Sequence, residues 1–270
     1  MLKPEDFFDL KNFEHKRLFN GVEFVWEVLN RIKPYIKDVI KPNISLVKRD
    51  SVMLPGTCVL FRGKVIKKDF VIEDGDVTKG KFKIIKDGEE LKGASVLYAG
   101  AILLDDNISI GEGTVVEPGA FIKGPAIIGR NTEVRQGAYI RGNCIIGDRC
   151  VVGHTTEMKT AVMLNDAKAG HFAYIGDSIL GNNVNLGAGT KCANLKITNT
   201  EVTIRIKDTI YKTGLRKFGA ILGDNAETGC NSVTSPGCLL GKSSLVYPAI
   251  NVKGGYYPDR SIISMKTGRK

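Results

Sequence analysis

From Leu104 to Leu164 every sixth residue is aliphatic or Met. The series reads Leu104, Ile110, Val116, Ile122, Ile128, Val134, Ile140, Ile146, Val152, Met158 and Leu164. A period of six fits neither a helix nor a simple alternating strand. It predicts a chain wound into three-sided coils of about eighteen residues, with one short strand per side and one inward aliphatic side chain per strand. Two residues before each of these knobs the side chain is small: Thr114, Ala120, Ala126, Thr132, Ala138, Cys144, Cys150 and Thr156, with Val162 the largest. A narrow interior would be overpacked by anything bulkier. Gly follows several knobs, as in Ile110-Gly111, Ile128-Gly129, Ile146-Gly147 and Val152-Gly153. That placement suits tight corners at positive φ.

After Leu164 the phase changes. Tyr174, Leu180, Leu186 and Cys192 keep the spacing of six, as do Leu222, Thr228, Thr234, Leu240, Val246 and Val252. The step from 164 to 174 reads as four residues extra to the period. A larger insertion separates Cys192 from Leu222. Insertions leave a repeat stack as loops, and loops on a rigid scaffold often carry function.

Residues 5–40 are apolar at helical spacing, from Phe7, Phe8, Leu10 and Phe13 to Phe24, Val25, Val28, Leu29, Ile32, Ile36 and Ile40. Pro34 is expected to kink or split the second helix. From Asn43 the pattern is strand-like, around 59–61, 65–66, 70–72 and 82–85, with turn signals at Pro55-Gly56, Asp74-Gly75 and Asp87-Gly88. A coil stack needs its ends covered. Residues 1–95 are therefore predicted to form a small α+β cap, with a partner-binding or regulatory module as the alternative. The coil itself is expected over 96–256 and a tail over 257–270. The insertion at about 193–218 contains an alternating segment, Glu201-Val202-Thr203-Ile204-Arg205-Ile206. From 196 to 217 it carries Lys196, Arg205, Lys207, Lys212, Arg216 and Lys217 against Glu201 and Asp208. It reads either as a solvated hairpin or as an arm reaching for phosphates.

Composition narrows the function classes. The chain has 270 residues, 43% hydrophobic, with a net charge of +10. No apolar run approaches the ~18 residues of a membrane span. The start, MLKPEDFFDL, lacks a signal-peptide profile, so a cytoplasmic location is expected. A basic balance suits phosphorylated small molecules. Without a long Lys/Arg run or basic-aromatic interleaving, nucleic acid is not expected as a partner. Six cysteines occur without a CxxC pair. Four fall in the interior registers as small hydrophobes, leaving Cys58 and Cys230 open, and no metal site is predicted.

Residues one coil apart stack at about 4.8 Å. Lys123, Arg141 and Lys159 are eighteen apart in succession and one place after a knob, so they should form an outward column. Three stacked cations repel unless an anion offsets them, and the column suits a phosphate clamp. Of three histidines, His15, His154 and His171, the last falls in the phase break. It is the best candidate for a group titrating near neutrality. The segment 183–190, NVNLGAGT, admits close backbone approach to a ligand, although Gly187 and Gly189 also serve as corners.

The hexapeptide pattern resembles the left-handed parallel β-helix acyltransferases. Glu157-Met158-Lys159, then AKAGHFAYIGD over 167–177 and NVNLGAGT over 183–190, closely resemble the glucosamine-1-phosphate N-acetyltransferase domain of the bacterial bifunctional acetyltransferase/uridylyltransferase. The match covers residues 100–195 well and 217–255 less well. The resemblance implies a mainly β, left-handed β-helix enzyme using acetyl-CoA as co-substrate, trimeric, with sites between subunits. It implies His171 as general base and Asn194 beside the thioester. Arg141 and Lys159 would hold the sugar phosphate, Tyr174 and Asn185 would contact the amino sugar, and Lys217 would lie near the site. Ala188 and Cys230 would lie on the CoA side. Cys230 replaces a Ser of the family, Leu195 replaces a Tyr, and the insertion at 196–216 is longer than the common type. Residues 1–95 do not resemble the uridylyltransferase domain, so a stand-alone acetyltransferase is expected.

Three rivals share the scaffold. An acyltransferase fed by acyl-carrier protein would take a longer acyl chain. A zinc hydratase of the γ-carbonic anhydrase kind would need His15 to join His154 and His171. A non-catalytic scaffold would have no use for the set His171, Arg141, Lys159, Tyr174 and Asn185.

Overall fold

A computed structural model describes residues 2–47 and 51–265, so the last five residues of the expected tail lie outside the described residues. The coil is a parallel β-helix with three walls. Wall I carries Val115–Val116, Glu133–Val134, Val151–His154, Lys168–His171 and Asn185–Leu186. Wall II carries Phe121–Ile122, Tyr139–Ile140, Glu157–Lys159, Tyr174–Gly176 and Lys191–Cys192. Wall III carries Ala126–Ile128, Cys144–Ile146, Ala161–Met163, Ile179–Leu180 and Ala220–Leu222. Walls II and III each hold eight strands, and wall I belongs to an eleven-stranded sheet with two antiparallel strands at its first edge.

The interior is one apolar column. Ile110, Val116, Ile122, Ile128, Val134, Ile140, Ile146, Val152 and Met158 all belong to it, together with Ala120, Ala126, Ala138, Cys144 and Cys150. Each buried aliphatic contributes on the order of 1.5–3 kcal/mol. Thr114 and Thr132 also lie in the interior. Their hydroxyls donate to the carbonyls of Gly129 (2.6 Å) and Gly147 (2.9 Å) and accept from backbone N–H groups of the next coil.

Both ends of the eleven-residue series differ from the expected register. Leu103, not Leu104, pairs with Ile122 and is fully buried, while Leu104 is 39% exposed. At the other end Ile146 pairs with Met163, and Ala161 holds the small position expected of Val162. Val162 and Leu164 point outward into a second apolar cluster. The phase break is therefore not a four-residue excursion. Coils of eighteen shorten to seventeen, as Met158 pairs with Ile175 and Ile175 with Cys192, so Ile175 replaces Tyr174 as the inward residue. One residue is deleted at the corner between Met158 and Met163, and another between Ile175 and Leu180.

The corner glycines also have a different cause from the one expected. Gly111, Gly129, Gly147 and Gly153 do not have positive φ. A Cβ at Gly129 would lie 2.5 Å from the Gly147 backbone, and one at Gly153 would lie 1.8 Å from the Gly170 carbonyl oxygen. Glycine is required there by close approach of successive coils. The left-handed positions between walls III and I are held by Asn131, Arg149, Asp166, Asn183 and Asn225. Asn and Asp tolerate that region better than most residues.

Residues 1–95 do not act only as an end cap. Residues 2–40 run along the outside of wall III. Asp224 N–H donates to the Phe7 carbonyl, the Asn182 amide donates to the Asp9 carbonyl, and the Asn43 side chain bonds both N–H and C=O of Ile110. This strap covers outward Ile127, Ile145, Val162, Ile179, Ile221 and Leu239 with Phe7, Leu18, Trp26, Ile32 and Ile36. Its first part is a four-residue turn, Pro4–Phe7, followed by short 3₁₀ turns, because consecutive Phe7 and Phe8 are both buried along the wall. One helix, Val28–Val39, continues through Pro34. The end cap begins at Ile44. Val47 and Leu54 close the column, and the hairpin Cys58–Phe61/Lys64–Ile66 adds antiparallel to Ser95–Leu97. At the far end Gly255–Tyr257 and Ile262–Ile263 continue walls III and I, so the coil extends into the expected tail.

His15 lies at the joint of the strap. Its Nδ1 is 3.2 Å from the Tyr35 hydroxyl, and its ring packs edge-on against Phe13 and Tyr35. Burial depresses its pKa below the ordinary 6.5, outweighing the acids Glu14 and Asp148. The unfolded chain therefore takes up the His15 proton first, and stability falls as pH drops below about 6.5. In thermal melts between pH 7.5 and 5.5, His15→Gln should lose less stability than wild type; equal losses would contradict this. The register makes a second prediction. Leu103→Ala should cost about 2–5 kcal/mol in urea unfolding, and Leu104→Ala less than about 1 kcal/mol.

Candidate active site

Wall II and its two edges hold most of the candidate residues. Arg141 and Lys159 stack at the edge toward wall III, as the cation column predicts; the Arg141 N–H donates to the Met158 carbonyl and the Lys123 N–H to the Ile140 carbonyl. Each of the two upper cations has a built-in counter-ion. Arg141 Nη1 donates to Glu157 Oε1 at 2.5 Å, and its guanidinium lies 5.7 Å from the Tyr139 ring centroid. The hydrogen bond to Glu157 raises the Arg141 pKa further. Lys159 Nζ lies 3.3 Å from Asp177 Oδ2. Asp177 was missed by the sequence reading because the coil shortens here: Gly176 pairs with Lys159, and Asp177 stands one place further on.

Asp177 also gathers the neighbouring coil. Asn194 Nδ2 donates to the same Asp177 Oδ2. The Tyr174 hydroxyl reaches this point along wall II. A Cβ on Gly176 would lie 2.5 Å from the Tyr174 hydroxyl oxygen and 2.8 Å from Asn194 Nδ2, so any larger residue there would displace one of these two side chains. Burial raises the Tyr174 pKa, and the charges of Glu157 and Asp177 add to that rise. Asn194 is held from behind, since its carbonyl accepts from the Phe218 N–H at 2.9 Å. Exposed Lys217 adjoins it at the foot of the insertion, across a bridge to Leu195. Arg141, Lys159, Tyr174, Asn194 and Lys217 thus share one edge.

The opposite edge of wall II carries a second group. His171 ends the strand Lys168–His171, exposed at the corner of walls I and II, with His154 as its partner one coil away. It stands in the regular coil rather than in an excursion. Its ring centroid is 6.3 Å from that of Phe172, and its carbonyl accepts from the Gly189 N–H. Ala188 lies beside it on the next coil. The Ala188 carbonyl accepts from the Asn231 N–H, which places exposed Cys230 on the coil after that. His171, Ala188 and Cys230 form one corner column. Asn185 is exposed on wall I, opposite Lys168. Six residue steps of chain separate His171 from Asp177, at most about 20 Å of extended chain. Among the described residues no hydrogen bond or ion pair joins the two groups.

The insertion is a hairpin, as one sequence reading held, but it is not simply solvated. Its strands Thr203–Ile206 and Thr209–Lys212 form a hairpin laid on wall III. Val202, Ile204 and Leu215 are buried, and Tyr211 packs edge-on against the stacked pair Phe24 and Trp26. Arg205, Lys207 and Lys212 face outward from it. The histidines do not converge either, since His15 belongs to the strap on wall III. Among the described residues no group of three His, Cys, Asp or Glu side chains is placed to hold a metal ion, and no helix is long and apolar enough to cross a membrane.

Comparison with known proteins points the same way. Residues 122–216 match the family model described as the GMPPB C-terminal domain. The bifunctional protein GlmU of Methanococcus aeolicus is 38% identical over 154 residues, covering 57% of this chain and 36% of the relative. The bifunctional sugar-1-phosphate nucleotidylyltransferase/acetyltransferase of Sulfurisphaera tokodaii is 36% identical over 107 residues, 39% of this chain and 27% of the relative. The chain spans about a third of the length of the curated relatives it matches. The chain is similar to sugar-phosphate acetyltransferase relatives over its coil, and the parallel β-helix agrees with the hexapeptide repeat in its sequence. The matched segment of this hexapeptide-repeat protein contains Arg141, Lys159, His171, Tyr174, Asn185, Ala188 and Asn194, whereas Lys217 and Cys230 lie beyond it.

All six cysteines are free, and five are buried. Burial pushes the thiols of Cys58 and Cys192 up to about 11 and those of Cys144 and Cys150 to about 12, and raises Cys238 as well. Cys230 is exposed. Native protein should react with one equivalent of DTNB rapidly at pH 8, and denatured protein with six. Two or more fast thiols, or a fast thiol surviving in Cys230→Ser, would contradict this arrangement.

Proposed function

We propose that this chain moves acetyl from acetyl-CoA to the amino group of an amino-sugar 1-phosphate, with glucosamine-1-phosphate favoured. The observation that carries the reading is the division of wall II. Phosphate-type donors and polar anchors line one edge, and an exposed imidazole lies below Ala188 and Cys230 on the other. The two groups stand at opposite edges of wall II, with no hydrogen bond or ion pair between them among the described residues. Parallel packing of copies brings the His171 edge of one against the Arg141 edge of the next, and a homotrimer closes the ring.

In that cleft Arg141 and Lys159 hold the phosphate; the guanidinium has five donors, and Glu157 uses one of them. Tyr174, Lys217 and Asn185 orient the sugar. His171 takes the proton as the amine nitrogen attacks the thioester carbonyl, general-base help worth about 10²–10⁴-fold. The C–N bond forms, an Asn194 N–H donates to the developing oxyanion, and the C–S bond then breaks. His171 returns the proton to the departing thiolate. Ala188 and Cys230 line the path of CoA. Exposed Leu195 and Ile197, next to Asn194, favour a second reading in which a longer acyl chain is delivered by acyl-carrier protein.

The test is CoA release, detected by thiol reagent after quenching, with acetyl-CoA and a panel of amino-sugar phosphates. Glucosamine-1-phosphate should support turnover, and His171→Ala should lower it at least about a hundredfold. Equal rates in the two proteins would remove His171 from its role. Faster transfer from a long-chain acyl-carrier protein than from acetyl-CoA would establish the second reading.

A further inference from the structure

We infer that Asp177 is the positioning residue of the site: it fixes which face of the Asn194 amide meets the reacting atoms and holds Lys159 in place for the phosphate. The inference rests on the acetyl-transfer reading of the site.

Asp177 is 8% exposed, and one oxygen of its carboxylate accepts both Asn194 Nδ2 and Lys159 Nζ. A carboxylate without a proton only accepts hydrogen bonds, so the Asn194 side chain must turn its nitrogen, not its oxygen, toward Asp177. The remaining N–H and the carbonyl oxygen of that amide then have assigned directions. Without the carboxylate the amide has no such reason to prefer one face, and a flipped amide would present an acceptor where the oxyanion needs a donor.

The backbone keeps Asp177 itself immobile. Its N–H donates to the Lys159 carbonyl at 3.0 Å, and its carbonyl accepts from the Gly219 N–H at 2.8 Å. Its φ is +44°, at the corner shortened by one residue. Asn accepts that conformation as readily as Asp. A structural role at the corner would therefore be met equally by Asn, whereas orienting Asn194 and offsetting Lys159 need the negative charge. A nearly buried charge is costly unless its partners compensate it, and here two site residues supply the partners.

The experiment compares wild type with Asp177→Asn, Asn194→Ala and the double variant, reading kcat, KM for the sugar phosphate and thermal midpoint. Asp177→Asn should melt within about 3 °C of wild type yet lose at least about tenfold in kcat. In the Asn194→Ala background the same substitution should change kcat by less than about threefold, because the Asn194 partner is already gone, while its effect through Lys159 persists as a raised KM for the sugar phosphate. Retention of kcat in Asp177→Asn, or effects of the two substitutions that multiply, would overturn the proposal. Asp177→Glu keeps the charge but displaces it, and should show the same kcat loss if Asp177→Asn fails to fold. Crystal structures of wild type and the variants give a readout independent of turnover. The Lys159 ammonium should leave its place beside residue 177 in Asp177→Asn, and an unmoved Lys159 would overturn the proposal. If wild type transfers no acetyl to any amino-sugar phosphate, the functional reading fails, and the crystal structures alone decide the positioning claim.

Discussion

Each coil is hydrogen-bonded to the next along three walls, so every coil must place its inward side chain directly beneath the one above. That ladder governs the rest of the molecule. It sets neighbouring coils about 4.8 Å apart, which is why glycine is needed wherever corners of successive coils approach, as at Gly129 and Gly153. It also turns residues seventeen or eighteen apart into neighbours. Arg141, Lys159, Asp177 and Asn194 are distant in sequence, but the ladder stacks them into one interacting edge.

A stack of this kind leaves two problems, which different segments solve. The column of aliphatic side chains ends abruptly, and Ile44, Val47 and Leu54 close it. Wall III is apolar on its outer side as well, and the strap of residues 2–40 covers it together with the inserted hairpin. The hairpin therefore has a packing role before any chemical one. Its feet nevertheless rise from the edge carrying Asn194 and Lys217.

The repeat was legible in sequence where the spacing was uniform, from Ile110 to Met158. It failed where a corner gained or lost one residue. Leu104 and Leu164 are hydrophobic for reasons of their own, and a six-residue count passes through them without notice. Leu164 belongs to the outer cluster beneath the strap, a packing that no local pattern shows. The cation column was legible because like residues recurred at eighteen. Its counter-ions were not, because a search for phosphate ligands passes over acids, and the shortened coil sets Gly176 rather than Asp177 opposite Lys159. The hairpin strands were legible from alternation. Their burial was not, because Trp26 lies far away in the chain.

On the proposed reading wall II divides the site, so that His171 of one copy works with Arg141 and Lys159 of another. The direct measurement is complementation: subunits carrying His171→Ala and subunits carrying Lys159→Ala, each inactive alone, are co-expressed and the mixed assemblies purified through distinct tags. A divided site should recover a substantial fraction of wild-type acetyl transfer, since some interfaces receive both intact edges. Mixed assemblies as inactive as the parents, beside an active wild type, would place the whole site within one chain and contradict it.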